Sequence, residues 1–316
     1  MPSEFEIIAR FFTRPAPGAV LGVGDDAALV RAGHGMDLAV ATDMLVAGRH
    51  FLLDTDPRRL GHKALAVNLS DLAAMGAQPR WALLALALPE ADEAWLAAFA
   101  QGFLALAQTH GVDLVGGDTT HGPLNVCVTV MGEVPDGAAL RRDGARPGDD
   151  VWVSGTLGDA ALALANLRQQ VALAPHEAAL VLPRLETPLP RVALGMALRG
   201  IAHSAIDVSD GLAADLGHIL ERSGLAATIE AARLPLSEPL RAREGDALGW
   251  ALAGGDDYEL CFTAPPGVRE VVEALGRDLG VALTRIGRTT AGAGLTVLDG
   301  AGRPLPLART GFDHFG

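Results

Sequence analysis

The chain has 316 residues, 49% of them hydrophobic and 20% charged, enough for two domains with their own cores and too apolar for a disordered protein. Its 25 basic against 38 acidic residues leave a net charge of −13. That balance excludes non-specific nucleic-acid binding, which rests on neutralising phosphates with basic side chains, and makes an anionic substrate awkward unless cations intervene.

Near the N-terminus, MPSEFEIIARFF lacks the pattern of a signal peptide, and no apolar run approaches a membrane span. The first feature of note is LGVGDDAALV, residues 21–30, where Asp25 and Asp26 share a glycine turn with no Lys or Arg between Arg14 and Arg31. Alternation and β-branched content predict strands at 20–23, 38–42, 81–88, 112–115 and 125–134. Asp56-Pro57 reads as an N-cap with proline in the first turn, opening a helix to about Met75. Leu65, Leu69, Leu72 and Ala73 form its apolar stripe, and Asp71 falls off it. A second helix is expected over 90–108.

RRDGARPGDD, residues 141–150, is polar and turn-rich, which makes it the expected domain boundary. Beyond it, VWVSGTLGDAALALANL reads as strand, glycine turn, helix. SAIDVSDGLAADLGHIL repeats that order, with Leu212, Leu216, Ile219 and Leu220 on one helical face. Further strands are expected at 258–263, 281–286 and 295–298. Two α/β or α+β domains follow, spanning 1–140 and 148–316. Cys127 and Cys261 form neither a C-x-x-C pair nor a disulfide framework and suit a reducing cytoplasm.

Acidic turns recur throughout: GVGDDA, VATDML, NLSDLA, GGDTTH, AIDVSDG and AGGDDYE. Singly, each aspartate reads as a cap or turn former, with Asp210 in SDGL and Asp56 as N-caps. Together they say more. Asp43, Asp118 and Asp207 end apolar strands, where α/β proteins assemble their sites. Converging carboxylates with few basic neighbours call for a hard divalent cation, and Mg²⁺ takes carboxylates together with substrate phosphates. No G-x-x-x-x-G-K-[ST] loop, H-E-x-x-H or G-x-S-x-G occurs, and VSGTLGD, with two glycines before a helix, reads as a plain strand–helix turn in preference to a phosphate-approach loop. His50 closely follows the Asp43 strand. Arg141 and Arg142 read either as solvated charges or as a guanidinium clamp on a polyphosphate.

The ordered set GVGDDAAL, ATDMLVAGRHF, KALAVNLSDLAAMGAQP, LVGGDTT, SAIDVSDGLAADLGHI, GGDDYELCF and GFDHF resembles the thiamine-monophosphate kinase family, within the aminoimidazole ribonucleotide synthetase-like superfamily, over essentially the whole chain. The resemblance implies a two-domain fold of that superfamily, with an N-terminal mixed sheet with helices for metal, ATP and dimerisation. The C-terminal α/β domain would complete the nucleotide and substrate sites. It also implies ATP-dependent phosphorylation of thiamine monophosphate to thiamine diphosphate, and a cytoplasmic homodimer whose N-terminal sheets join. Asp26, Thr42, Asp43, Asp71, Asp118, Asp207 and Asp210 match Mg²⁺ ligands, and Ala41 could add only its carbonyl. Of these, Asp43, Asp118 and Asp210 carry the catalytic expectation. Gly117, Asp118, Arg142 and Ser209 fall on nucleotide-contact positions, and His110 near the adenine. His50, Asp256 and Phe312 match substrate contacts, where Glu is commoner than Asp256 and Tyr or Trp than Phe312. Asp25, one residue before the matched ligand, is left to hold the turn or orient the cluster.

The acceptor in this reading is a phosphate, whose second pKa of about 6 leaves it largely deprotonated at neutral pH, so it needs screening and not a general base. Two alternatives stand beside it. One is an ATP-dependent relative with another acceptor, against which stand the absence of a cysteine before Cys127 and the GFDHFG ending without one. The other is a non-catalytic Mg²⁺-nucleotide module.

Overall fold

A computed structural model describes residues 3–24, 26–243, 245–306 and 311. Two compact units make up the chain: Met1–Leu72 with Ala77–Gly137, and Ala73–Gly76 with Ala138–Gly316.

In the first unit, α1 (Glu4–Ile7) is closed by a Ser3–Glu6 capping box and runs into a π-helical turn, Ile8–Phe12. β1 (Met36–Val46), α2 (Pro57–Ala74), β2 (Gln78–Leu88), α3 (Glu93–His110), β3 (Asp113–His121) and β4 (Asn125–Pro135) follow. The strands form one sheet in the order β1-β4-β2-β3, antiparallel except for the β2/β3 pair. A parallel pair needs a crossover, and α3 supplies it.

Asp56 caps α2, accepting the Arg59 N–H at 3.0 Å, as its position before Pro57 predicts. The helix is buried almost all round, well beyond the predicted stripe. Its crossing with α3 explains this: a Cβ on Gly61 would lie 2.1 Å from the Phe99 carbonyl, and one on Gly102 1.8 Å from that of Arg58. Only glycines let the two backbones touch. Asp92 caps α3 three residues later than the predicted start, and Gly111 closes it at φ 65°. Trp81, Phe99, Phe103, Leu65, Leu69 and Leu72 fill the core.

Residues 20–23 are not a continuous strand but hold isolated bridge positions, Leu21, paired with Leu29, and Val23, because no ladder continues beyond the turn in which Gly24 sits at φ 123°. β1 and β3 run past their predicted ends, through polar residues, since β4 and β2 supply the partners that local alternation cannot reveal.

The second unit contains β5 (Asp150–Ser154), α4 (Asp159–Leu167), α5 (Pro175–Glu186), α6 (Val192–Ala197), β6 (Ser204–Asp207), α7 (Leu212–Ser223), β7 (Leu225–Glu230), α8 (Glu238–Arg241), α9 (Ala247–Ala253), β8 (Leu260–Ala264), α10 (Arg269–Leu279), β9 (Leu283–Ala291), β10 (Gly294–Leu298) and β11 (Pro304–Leu305). Its sheet runs β11-β10-β7-β9-β5-β8-β6. β5, β6 and β8 are buried throughout, as strands covered on both faces should be. The predicted α7 face, Leu212, Leu216, Ile219 and Leu220, lies in this core. The segment 141–150 belongs wholly to this unit, and its last two carboxylates are buried. Asp149 meets His203 Nδ1 at 2.9 Å, and Asp150 takes Arg269 at 2.5 and 2.8 Å. Among the described residues, no helix is long and apolar enough to cross a membrane.

Candidate functional site

In the first unit, the hairpin closed by Leu21 and Leu29 carries Asp26 exposed on its loop. Asp25 lies outside the described residues. Asp26, Gly117 and Asp118 line one cleft of ≈840 Å³, with Phe5, Phe12 and Leu83 among its apolar walls. Gly117 sits at φ 144°, and a Cβ there would meet the Leu84 carbonyl at 1.8 Å. The parallel pairing of β2 and β3 therefore demands glycine at this position whatever binds beside it.

Asp43 lies on β1, and its N–H donates to Asn68 Oδ1 at 2.9 Å. Asn68 is fully buried on α2 and is steered by its own Nδ2, which donates to the Ala64 carbonyl at 2.9 Å. Residues three apart share a helix face, so Asp71 stands one turn along from the point where Asn68 grips the strand. Ala41 shares the Asp43 side of β1, two residues away. Thr42 points to the opposite side, where its hydroxyl meets Thr129 Oγ1 at 2.7 Å. The structure does not bring the Thr42 side chain to Asp43.

Nor does one copy of the sheet bring Asp43 to Asp118. They occupy the two edge strands, and three interstrand spacings separate them by roughly 14 Å. His50 closes the turn after β1, and its Nδ1 accepts the Val46 N–H at 2.9 Å. In the neutral ring the proton then sits on Nε2. His110 is half-buried at the end of α3, and burial, then the neighbouring His62, lowers its pKa below the usual histidine value.

In the second unit, Asp207 ends β6 and is buried, and the Ser209–Asp210–Gly211 turn leads into α7. Asp210 is not the side-chain N-cap its position suggests. Gly211 holds the cap position, and the turn is fastened from inside the helix by Asp215. A single oxygen, Asp215 Oδ2, accepts the N–H groups of Ser209, Asp210 and Gly211 at 3.0, 3.1 and 3.0 Å. Burial, then the charges of Asp207 and Asp210, push the Asp215 carboxyl up to about 7.

The loop after α9 is stitched to the same turn: Asp256 N–H donates to the Ser209 carbonyl at 2.8 Å, and Tyr258 N–H to that of Val208 at 2.8 Å. Tyr258 Oη donates to Asp256 Oδ1 at 2.9 Å. Gly311 rests on the turn as well, since a Cβ there would come 3.0 Å from the Asp210 carbonyl. The second unit thus gathers Asp207, Ser209, Asp210 and Asp256. Phe312 lies outside the described residues. Arg142 is exposed, and its carbonyl accepts Ser223 Oγ at 2.9 Å; Arg141 pairs with Asp143 at 2.6 Å.

VSGTLGD is a structural turn. The N–H groups of Gly155, Leu157 and Gly158 are spent on Ala282, Pro235 and the buried Asp257 carboxylate, which leaves no amide cradle for a phosphate. Burial holds Asp257 well above the usual carboxylate range. Beside it, buried Glu259 receives Ser154 Oγ at 2.5 Å, Arg191 at 2.6 and 2.5 Å, and Arg184. Sequence reasoning missed Asn68, Asp215 and Tyr258. Each lies within a quoted motif but acts on backbone or on another side chain, a role that spacing alone does not reveal.

Every candidate metal ligand is an oxygen donor, a set suited to Mg²⁺ and not to softer ions. Among the described residues, no three His, Cys, Asp or Glu side chains group closely enough to hold an ion by themselves. Dispersed single carboxylates fit an ion that keeps waters and takes substrate phosphates.

Residues 24–134 match the AIR synthase related protein N-terminal domain, and residues 146–300 the C-terminal domain. The chain is 48% identical over 318 residues to thiamine-monophosphate kinase of Escherichia coli K12, covering 99% of this chain and 98% of that protein. Its structure is similar to the crystal structure of thiamine-monophosphate kinase from Stenotrophomonas maltophilia K279a, at TM-score 0.85 and 52% identity over 92% of this chain and 94% of that one. It is also similar to AaThiL complexed with AMPPCP and TMP, at TM-score 0.80 and 32% identity over 90% and 89%.

Proposed function

The chain belongs to the thiamine-monophosphate kinases, built from AIR synthase related N- and C-terminal domains, and from that membership we propose that it transfers the γ-phosphoryl group of ATP directly and in line to thiamine monophosphate, the last step in making thiamine diphosphate. The cleft shared by Asp26, Gly117 and Asp118 carries this reading, because it sets two carboxylates beside a glycine strand open to a nucleotide. The neighbour complexed with AMPPCP and TMP supports the substrate pair.

Asp26, Thr42, Asp43, Asp71, Asp118, Asp207 and Asp210, with the Ala41 carbonyl, are the residues that would hold Mg²⁺. When bound, several such ions would screen the acceptor phosphate from ATP and fix the in-line approach. Asp43, Asp118 and Asp210 are the carboxylates on which the rate depends. No side chain has to remove a proton, since the acceptor oxygen is already ionised at neutral pH. The first unit serves metal, ATP and pairing, and the second contributes nucleotide and substrate residues. Gly117, Asp118, Arg142 and Ser209 contact the nucleotide, with His110 near the adenine. His50, its ring oriented by Val46, contributes to the thiamine site through Nε2. Asp256 partners the cationic end of thiamine, and Phe312 offers it a ring face worth about 0.5–2 kcal/mol.

The enzyme works as a cytoplasmic homodimer in this reading. Two free cysteines suit the compartment, and the open face of β1 suits the pairing. A coupled assay of ADP release with saturating Mg²⁺, comparing thiamine monophosphate with thiamine, tests the function. Turnover of the monophosphate alone is expected. Phosphorylation of free thiamine, or no turnover of either, overturns it.

A further inference from the structure

Three non-glycine residues among those described hold a left-handed φ, and two of them, Asp256 at 59° and Tyr258 at 49°, stand two apart in GGDDYE. Backbone strain of this kind persists only where the surroundings over-determine it. Here they do. Asp257 and Glu259 alternate with the strained pair and turn inward, Asp257 onto the Gly158 N–H and Glu259 onto Ser154, Arg184 and Arg191. Three backbone bonds of 2.8 Å then pin the loop: Asp256 to Ser209, Tyr258 to Val208, and Val208 to Glu259. The loop has no freedom to relax, and what it presents on its other side is the hydrogen bond from Tyr258 Oη to Asp256 Oδ1.

We propose that Tyr258, the one tyrosine of the chain, is a positioning residue that sets the orientation of the Asp256 carboxylate for the cationic heterocycle of the acceptor substrate. The inference rests on the reading that Asp256 contacts that end of thiamine monophosphate. An aspartate side chain is short and its carboxyl group rotates freely. Held at Oδ1 by a phenol that is itself buried, it meets the ligand in one orientation. The role belongs to binding and not to phosphoryl transfer, because the cationic ring takes part in neither the bond that forms nor the bond that breaks.

Steady-state kinetics of Tyr258→Phe, Asp256→Ala and the double variant test this, with melting temperatures recorded for each. Tyr258→Phe keeps the ring and removes only the hydroxyl. Its KM for thiamine monophosphate is expected to rise about tenfold, the change that loss of one hydrogen bond to a charged group gives, with kcat and the KM for ATP unchanged. In the Asp256→Ala background, the same substitution should add nothing. An unchanged KM, a fall in kcat alone, or additive effects in the double variant would overturn the positioning role while leaving the kinase reading intact. Failure of the wild-type protein to use thiamine monophosphate would instead overturn the reading beneath it.

Discussion

Asn68 holds Asp43 in place: its Oδ1 accepts the Asp43 N–H at 2.9 Å while its Nδ2 is engaged by Ala64. This bond joins the strand bearing one candidate ligand to the helix bearing another, Asp71. Replacing Asn68 by Leu fills the space but leaves the Asp43 N–H of the edge strand without that acceptor. It is expected to cost about 1–3 kcal/mol in urea denaturation. Turnover should fall further than that loss of stability explains. Unaltered turnover at full folding would detach Asn68 from the site.

Asp43→Asn and Asp118→Asn remove one charge each from the first unit. Each is expected to lower kcat/KM by on the order of 10²-fold or more, as loss of a single electrostatic element does. Asp92→Asn is the control. It sits at the N-cap of α3, where asparagine accepts the same N–H groups, and activity should be kept. Equal effects at all three positions would reject the assignment of Asp43 and Asp118.

The turn carrying Ser209 and Asp210 depends on Asp215. Removing its oxygen with Asp215→Ala leaves three N–H groups without an acceptor and should destabilise the protein by at least about 2 kcal/mol. Asp215→Asn keeps one oxygen for the same groups and should recover most of that loss. Chemical denaturation of the two variants separates them, and identical midpoints would show that the three bonds do not hold the turn.

β1 is an edge strand whose open face alternates Met36, Leu38, Val40, Thr42, Met44 and Val46, apolar but for the threonine, with Val40 58% and Met44 54% exposed. An apolar edge of this length is a pairing surface unless it is charged or covered. Val40→Glu puts a charge at its centre and is expected to convert a dimer to a monomer in analytical ultracentrifugation. A wild-type monomer, or a dimer indifferent to the change, would refute the pairing.

Features encoded by neighbours in sequence were legible: the Asp56 cap, the α7 face and the plain turn at VSGTLGD. Features set by partners distant in sequence were not. The ends of β1 and β3 depend on their ladders, and Asp210 yields the cap to Gly211 because Asp215 reaches back from the helix. Acidic turns at strand ends announced a site, yet spacing could not say which carboxylates meet. The sheet order separates Asp43 from Asp118, and Asn68 sets Asp43 beside the Asp71 face. The role of each aspartate came from the resemblance, which no single turn would have carried.

Acid should weaken the second unit through Glu177. Its carboxylate receives Arg243 at 2.5 and 3.0 Å and the Ala174 N–H at 2.9 Å. Arg243, then Ala174, lowers its pKa from 4.5 to about 2. Between those values the unfolded chain binds more protons than the folded one, so stability rises with pH across the window. The contribution is complete above pH 4.5 and is lost as the pH falls toward 2. Glu177→Gln should therefore be less stable than wild type at pH 7 and should converge with it as the pH approaches 2. Urea midpoints measured at pH 7, 4 and 3 check this. A gap that stays constant with pH would mean that the Arg243 pair does not hold the Glu177 charge in the folded protein.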